Sequence, residues 1–132
     1  MSAAPHGRVG WFVAVGCAAA AVHWCVAMLL VGQAGWPPLL ANVGAWLVAL
    51  GVSISGHHRL SFRGHGGPLG RAALRFVALS ALSFAINEAA YALLLAWAPA
   101  HYGLLLAAVL VGVAGLTYLL SRHWAFARTA RE

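Results

Sequence analysis

The chain has 132 residues, of which 63% are hydrophobic and only 8% charged, against about 45–50% apolar and about 25% charged in ordinary soluble domains. So little charge cannot dress a solvated surface, which excludes a water-soluble single domain. The formal charge of +6 is carried by Arg, with no Lys; in a soluble protein it would point to nucleic acid, but in a chain this apolar no nucleic-acid partner is expected and the bilayer is the solvent to reason with.

Uncharged apolar runs lie at about Gly10 to Val31, Pro37 to Ser55, Phe76 to Ala98 and Tyr102 to Ser121. Each is near the ~20 residues a transmembrane helix needs, so an all-α membrane protein with four transmembrane helices is predicted, within a single membrane domain over residues 1–132. Cys17 and Cys25 fall inside the first run and read as small apolar side chains. A secretory signal, with Arg8 as its charged region and Ala18 to Ala20 as its cleavage zone, is one other reading of the start. A lipoprotein box at Ala14, Val15, Gly16 and Cys17 is a second. The apolar run continues well past either cleavage point, which is not how a signal ends.

The connections at Gly32 to Trp36 and around Pro99 to His101 are short and hold no Arg or Glu. Arg8 precedes the first span, Arg59, Arg63, Arg71 and Arg75 lie between the second and third, and Arg122, Arg128 and Arg131 follow the fourth. All the Arg thus fall on one side. By the positive-inside rule both termini and the central loop are cytoplasmic, in a multi-pass protein of the cytoplasmic (inner) membrane. Trp36, Trp97 and Tyr102 at the outer ends, and Trp11 and Trp124 at the inner ends, suit aromatic belts. Met1 to Pro5, Gly64 to Gly70 and Ala127 to Glu132 are expected to be mobile linkers.

Sliding the chain on itself by 64 residues pairs Phe12, Val13 and Ala14 with Phe76, Val77 and Ala78, Leu40 with Leu104, Gly51 with Gly115 and Phe62 with Phe126. A two-helix unit therefore occurs twice. Each copy crosses the membrane an even number of times, so the two are parallel repeats rather than inverted ones. The same shift aligns Gly44, Val48 and Gly51 with Ala108, Gly112 and Gly115. Small residues at this spacing share one helix face and let backbones approach in lipid, which predicts close packing of the second and fourth spans on another helix, within the monomer or across a homodimer.

Glu88, near the middle of the third span, is the one acidic residue that the membrane would contain. A charge there costs about 2.5–3.5 kcal/mol on insertion scales. Ser80, Ser83, Asn87 and Tyr91 line one face of that span, and the repeat sets His23 and Trp24 at the depth of Asn87 and Glu88. The expectation is a midplane cluster of His23, Ser83, Asn87 and Glu88 facing the bundle interior, around a polar headgroup or as a proton-responsive pair; a protonated Glu88 acting as structural glue is the plainer alternative. A second feature is the basic-aromatic segment that ends each half, His57, His58, Arg59, Leu60, Ser61, Phe62 and Ser121, Arg122, His123, Trp124, Ala125, Phe126. Arg59 and Arg122, flanked by His58 and His123, would sit at headgroup depth. There a guanidinium holds phosphate through paired hydrogen bonds while Phe62, Trp124 and Phe126 fix its level at the interface. Plain topology signals or contacts to any anionic membrane lipid are the competing reading.

On these residues the chain resembles the GtrA-like family of small four-span membrane proteins, over Trp11 to Arg128. The family ends each half with a sequence similar to Asn-Arg-Arg-Trp-Thr-Phe. Here the second copy keeps Arg122, Trp124 and Phe126, and the first keeps Arg59 and Phe62 with Ser61 in the Thr position. His57 and Ser121 stand where the family has Asn, and Leu60 replaces the first Trp. The resemblance implies flipping of a polyprenyl-phosphate-linked sugar across the cytoplasmic membrane for cell-surface polysaccharide synthesis or glycosylation, the ligand being made by a separate membrane glycosyltransferase. Two rivals remain, a small proton-coupled exporter using Glu88 and a non-transporting membrane anchor for a glycosyltransferase. No nucleophile, base and orienter constellation supports an enzyme. No cofactor is expected, and with scattered His and no CxxC or HExxH no metal either.

Overall fold

A computed structural model of the chain describes the backbone of residues 5–60 and 69–129 and the side chains of residues 10–56 and 74–119. Four long helices follow one another, α1 (Pro5–Gly32), α2 (Pro38–Leu60), α3 (Leu69–Trp97) and α4 (Tyr102–Thr129), with a single 3-10 turn at Pro99–His101 ahead of α4. Among the described residues there is no strand. The stretches Gly10–Gly32, Pro38–Gly56, Leu74–Trp97 and Pro99–Leu119 are each long and apolar enough to cross a membrane. In lipid a helix is the one open-chain structure that pairs all of its own backbone groups.

Each helix continues past its uncharged apolar run of sequence at the Arg-bearing end: α1 begins at Pro5, α2 ends at Leu60, α3 begins at Leu69 and α4 ends at Thr129. Pro5, Leu69, Gly70 and Ala127 to Thr129, expected to belong to linkers, lie instead in α1, α3 and α4. No Gly or Pro interrupts Ser121 to Thr129, and Arg and Ala are good helix formers, so nothing stops the helix where the hydrocarbon ends.

The chain divides into two compact units, Met1–Phe84 and Ala85–Glu132, with the boundary inside α3. In the first unit α1 and α2 form an antiparallel hairpin. Its turn closes on a glycine in the left-handed region: Gly35 takes φ +68°, and the Trp36 N–H donates back to the Leu30 carbonyl at 3.0 Å. Pro37 and Pro38 follow. The Ala41 N–H bonds the Pro37 carbonyl at 2.9 Å, so Pro38 occupies the first helical position, where a missing N–H costs nothing.

The hairpin seam is built from residues four apart. Val15, Ala19, His23 and Ala27 on α1 are buried, as are Ala41, Ala45 and Ala49 on α2 with Asn42 beside them. Small side chains let the two backbones close on each other. Closest of all is Gly56, where an added Cβ would stand 2.8 Å from Val15 Cγ1. Gly56→Ala is therefore expected to destabilise the protein by about 1–2 kcal/mol through overpacking against a β-branched, stiff side chain. Val15→Ala in the same chain should recover most of the loss, as read from thermal unfolding in mild detergent.

This seam is not the predicted stripe. Gly44 is half-buried, with Leu30 3.2 Å from an added Cβ, but Val48 is 47% exposed and a Cβ on Gly51 would meet nothing within 4 Å. Ala108, Gly112 and Gly115 on α4 are exposed as well. Two small-residue stripes compete on α2, and the one that also presents Asn42 to His23 is the one used.

In the second unit Asn87 and Tyr91 of α3 and Leu106 and Val109 of α4 are buried. The Tyr91 hydroxyl donates to the Tyr102 carbonyl at 3.1 Å, tying α3 to the first residue of α4. The connection differs from that of the first hairpin. Ala98, at φ −144° ahead of Pro99, leaves the helical region as residues before proline do, and the His101 N–H bonds back to its carbonyl at 3.1 Å. Thr117, exposed toward the Arg-bearing end of α4, satisfies its hydroxyl on the Val113 carbonyl at 2.8 Å.

Pro38 and Tyr102, which begin α2 and α4, are 64 residues apart. His23 and Asn87, Ala27 and Tyr91, Asn42 and Leu106, and Ala45 and Val109 stand at that separation too, and all eight are buried.

Candidate functional site

The first unit holds a polar and aromatic cluster inside its apolar spans. His23 lies in the α1 seam stripe; Asn42 and Trp46 stand one turn apart on α2, and Ser80 and Phe84 one turn apart on α3. The His23 ring donates from Nε2 to Asn42 Oδ1 at 2.6 Å, between side chains that are 5% and 0% exposed. Since Oδ1 can only accept, the neutral imidazole keeps Nδ1 as its acceptor. Trp46 Nε1–H donates to Ser80 Oγ at 3.1 Å. The indole also stacks on Phe84, with centroids 4.6 Å apart and planes 13° from parallel, and the His23 ring sits 6.5 Å from Phe84, tilted by 37°.

Such groups are costly in hydrocarbon unless paired, and among the described residues every buried side-chain N and O has a partner. An interhelical hydrogen bond in a membrane contributes about 0.6 kcal/mol on average and about 1–2 kcal/mol in model peptides. The cluster therefore fixes the facing of the helices more than it stabilises them. Beside it opens a cleft of about 150 Å³. Ala19, Ala20, Ala49 and Leu50 give it an apolar wall, and His23, Trp46, Ser53 and Ser80 supply polar groups and an aromatic surface.

Of the residues singled out in the sequence, His23 is in this cluster, with Asn42 as its hydrogen-bond partner. Ser83 is half-buried in the first unit; Asn87, 3% exposed, and the half-buried Glu88 belong to the second. The side chains of His58, Arg59, Arg122, His123, Trp124 and Phe126, and Phe62 entirely, lie outside the described residues. Among the described residues no group of three or more His, Cys, Asp or Glu comes together to hold a metal. Sequence reasoning passed over Asn42 and Trp46. A signal for Asn42 existed: it is the lone Asn of the second span, as His23 is the lone His of the first.

Compared with known families, residues 11–126 match the profile described as GtrA/DPMS, transmembrane domain. The chain belongs to this family. No curated protein and no solved structure gives a match. The matched region spans all four apolar helices of the GtrA/DPMS protein and reaches into the basic-aromatic end of α4. Together with the four apolar helices, this makes it a multi-pass membrane protein.

Proposed function

We propose that this GtrA/DPMS protein moves a polyprenyl-phosphate-linked sugar across the cytoplasmic membrane, without making or breaking a covalent bond, in support of cell-surface polysaccharide synthesis or glycosylation. The observation that carries the reading is the hydrogen-bonded cluster of His23, Asn42, Trp46 and Ser80, which borders an open cleft within helices that are otherwise apolar. Intramembrane polar groups of this kind mark pathways for polar cargo, and a glycan headgroup is cargo that hydroxyls, an imidazole and an indole can receive. Family membership points the same way.

In this scheme both termini and the central loop are cytoplasmic, since all the Arg lie on that side. Arg59 and Arg122 hold the lipid phosphate at the inner rim, the prenyl tail stays in lipid, and the sugar passes the polar cluster. A separate membrane glycosyltransferase supplies the glycolipid, and a homodimer with eight spans encloses the path.

The test is reconstitution of the purified protein in liposomes with a labelled prenyl-phosphate-linked sugar. Protein-dependent transfer between leaflets is the expected result. Absence of transfer by protein shown to be folded would leave a membrane anchor for a glycosyltransferase as the better reading. Arg59→Ala and Arg122→Ala are each expected to weaken binding of prenyl phosphate about tenfold, the effect of losing hydrogen bonds between charged groups. Glu88→Gln should slow transfer by a similar factor. Unchanged rates in both Glu88→Gln and Glu88→Ala, at equal protein level, would assign Glu88 to structure alone.

A further inference from the structure

We infer that the cleft beside His23 is a subsite for one uncharged sugar ring, an inference that rests on the glycolipid reading above and assigns the headgroup to particular side chains. The first argument is the chemistry of the lining. Ser80, whose oxygen receives the Trp46 N–H, brings one hydroxyl to the cleft wall. Ser53 adds a second hydroxyl. His23, whose Nε2–H is committed to Asn42, offers Nδ1 as an acceptor. A sugar hydroxyl both donates and accepts, and this set meets it in both senses.

The second argument is the aromatic surface. Phe84 stacks on one face of Trp46 and Ser80 holds its N–H, so the indole is fixed in position before any ligand arrives. An aromatic face is negative, and the C–H bonds on one side of a pyranose ring present the complementary positive edge. A prearranged indole loses little freedom when the ring docks, which is how preorganisation raises affinity.

The third argument is charge. None of the eight lining residues is Arg, Lys, Asp or Glu, so a carboxylate or ammonium on the sugar would enter the bilayer core without a counter-ion and lose its hydration. The site therefore takes a neutral hexose, pentose or deoxysugar and discriminates against uronic acids and amino sugars. A lipid acyl chain, the other occupant that a membrane offers, would gain nothing from the two hydroxyls and the imidazole and would strip them of water.

The experiment compares two probes on the full-length protein in detergent micelles, farnesyl phosphate and farnesyl-phosphoryl-glucose. The sugar is expected to tighten binding about tenfold, from two to three hydrogen bonds of ordinary net worth. The combined variant Ser53→Ala and Ser80→Ala should lose that increment while binding bare farnesyl phosphate as the parent does. Ala20→Leu, at an exposed helix position on the cleft wall, should lose it as well by filling the space, and unchanged affinity for farnesyl phosphate shows that either variant is folded. Farnesyl-phosphoryl-glucuronic acid should bind no more tightly than farnesyl phosphate. Equal affinity of the parent for farnesyl phosphate and its glucosyl ester, or an increment that survives in both variants, overturns the subsite. A retained sugar increment together with no transfer in liposomes overturns the transport reading alone, so the two failures are distinct.

Discussion

Asn42→Leu is expected to lower the stability of the protein by about 1–3 kcal/mol, the cost of leaving a buried donor without its acceptor. Asn42 is fully buried and receives the His23 Nε2–H at 2.6 Å, so its removal strands the imidazole in a seam otherwise made of Ala and Val. Leu is the branched apolar side chain nearest in shape to Asn, and Leu106, 64 residues on in the chain, is fully buried as well. Adding His23→Leu should therefore return most of the lost stability, because replacing both partners by apolar groups is close to neutral. The two readouts then separate. Unfolding in mild detergent should recover in the double variant, whereas transfer of glycolipid in liposomes should not, since His23 lines the cleft. A double variant that is both stable and fully active would make the pair a packing device and nothing more.

Tyr91→Ala carries the largest expected loss, about 3–5 kcal/mol, as for other large aromatic truncations in a packed interior. Tyr91 is 1% exposed and reaches the Tyr102 carbonyl with its hydroxyl, so truncation removes a whole ring and a hydrogen bond that ties α3 to the start of α4. Tyr91→Phe keeps the ring and loses only the hydrogen bond, which predicts a cost of about 0.5–1.5 kcal/mol. A large gap between the two variants in thermal unfolding is the result that packing requires. Similar small losses in both would mean that the second unit does not depend on this residue.

The four spans were legible because lipid admits only long apolar helices, and the Arg residues mark where the hydrocarbon ends. The helix ends were less so. Once a chain has left the hydrocarbon, hydropathy no longer bounds the helix, and α4 runs on through Arg122 and Arg128 to Thr129. Which face of α2 meets α1 was not legible: Gly44, Val48 and Gly51 stood out in the sequence, whereas within the chain the seam is made by Ala41, Ala45 and Ala49. Every face of a membrane helix is apolar, so hydrophobic periodicity, which locates the core side of a soluble helix, says nothing here. What breaks the tie is the sparse polar residues: Asn42 shares its side of α2 with Ala41, Ala45 and Ala49 and turns them toward His23. Of the candidate site, His23 was found by its cost in lipid. Trp46 was not, because an indole in an apolar span looks like any other large side chain until Ser80 and Phe84 are seen to hold it.

The five residues between α1 and α2 do more than reverse the chain. Each residue of a helix advances the side-chain direction by about 100°, so inserting or deleting a single residue between Gly35 and Pro38 would swing Asn42 by over a quarter turn and carry its amide away from the imidazole. With Gly35 held in the left-handed region and Pro38 fixed at the start of the next helix, the angular phase of α2 is set at the rim of the membrane. The second hairpin keeps neither the turn sequence nor the five-residue length, since four residues separate Trp97 from Tyr102, yet α4 still begins 64 residues after α2.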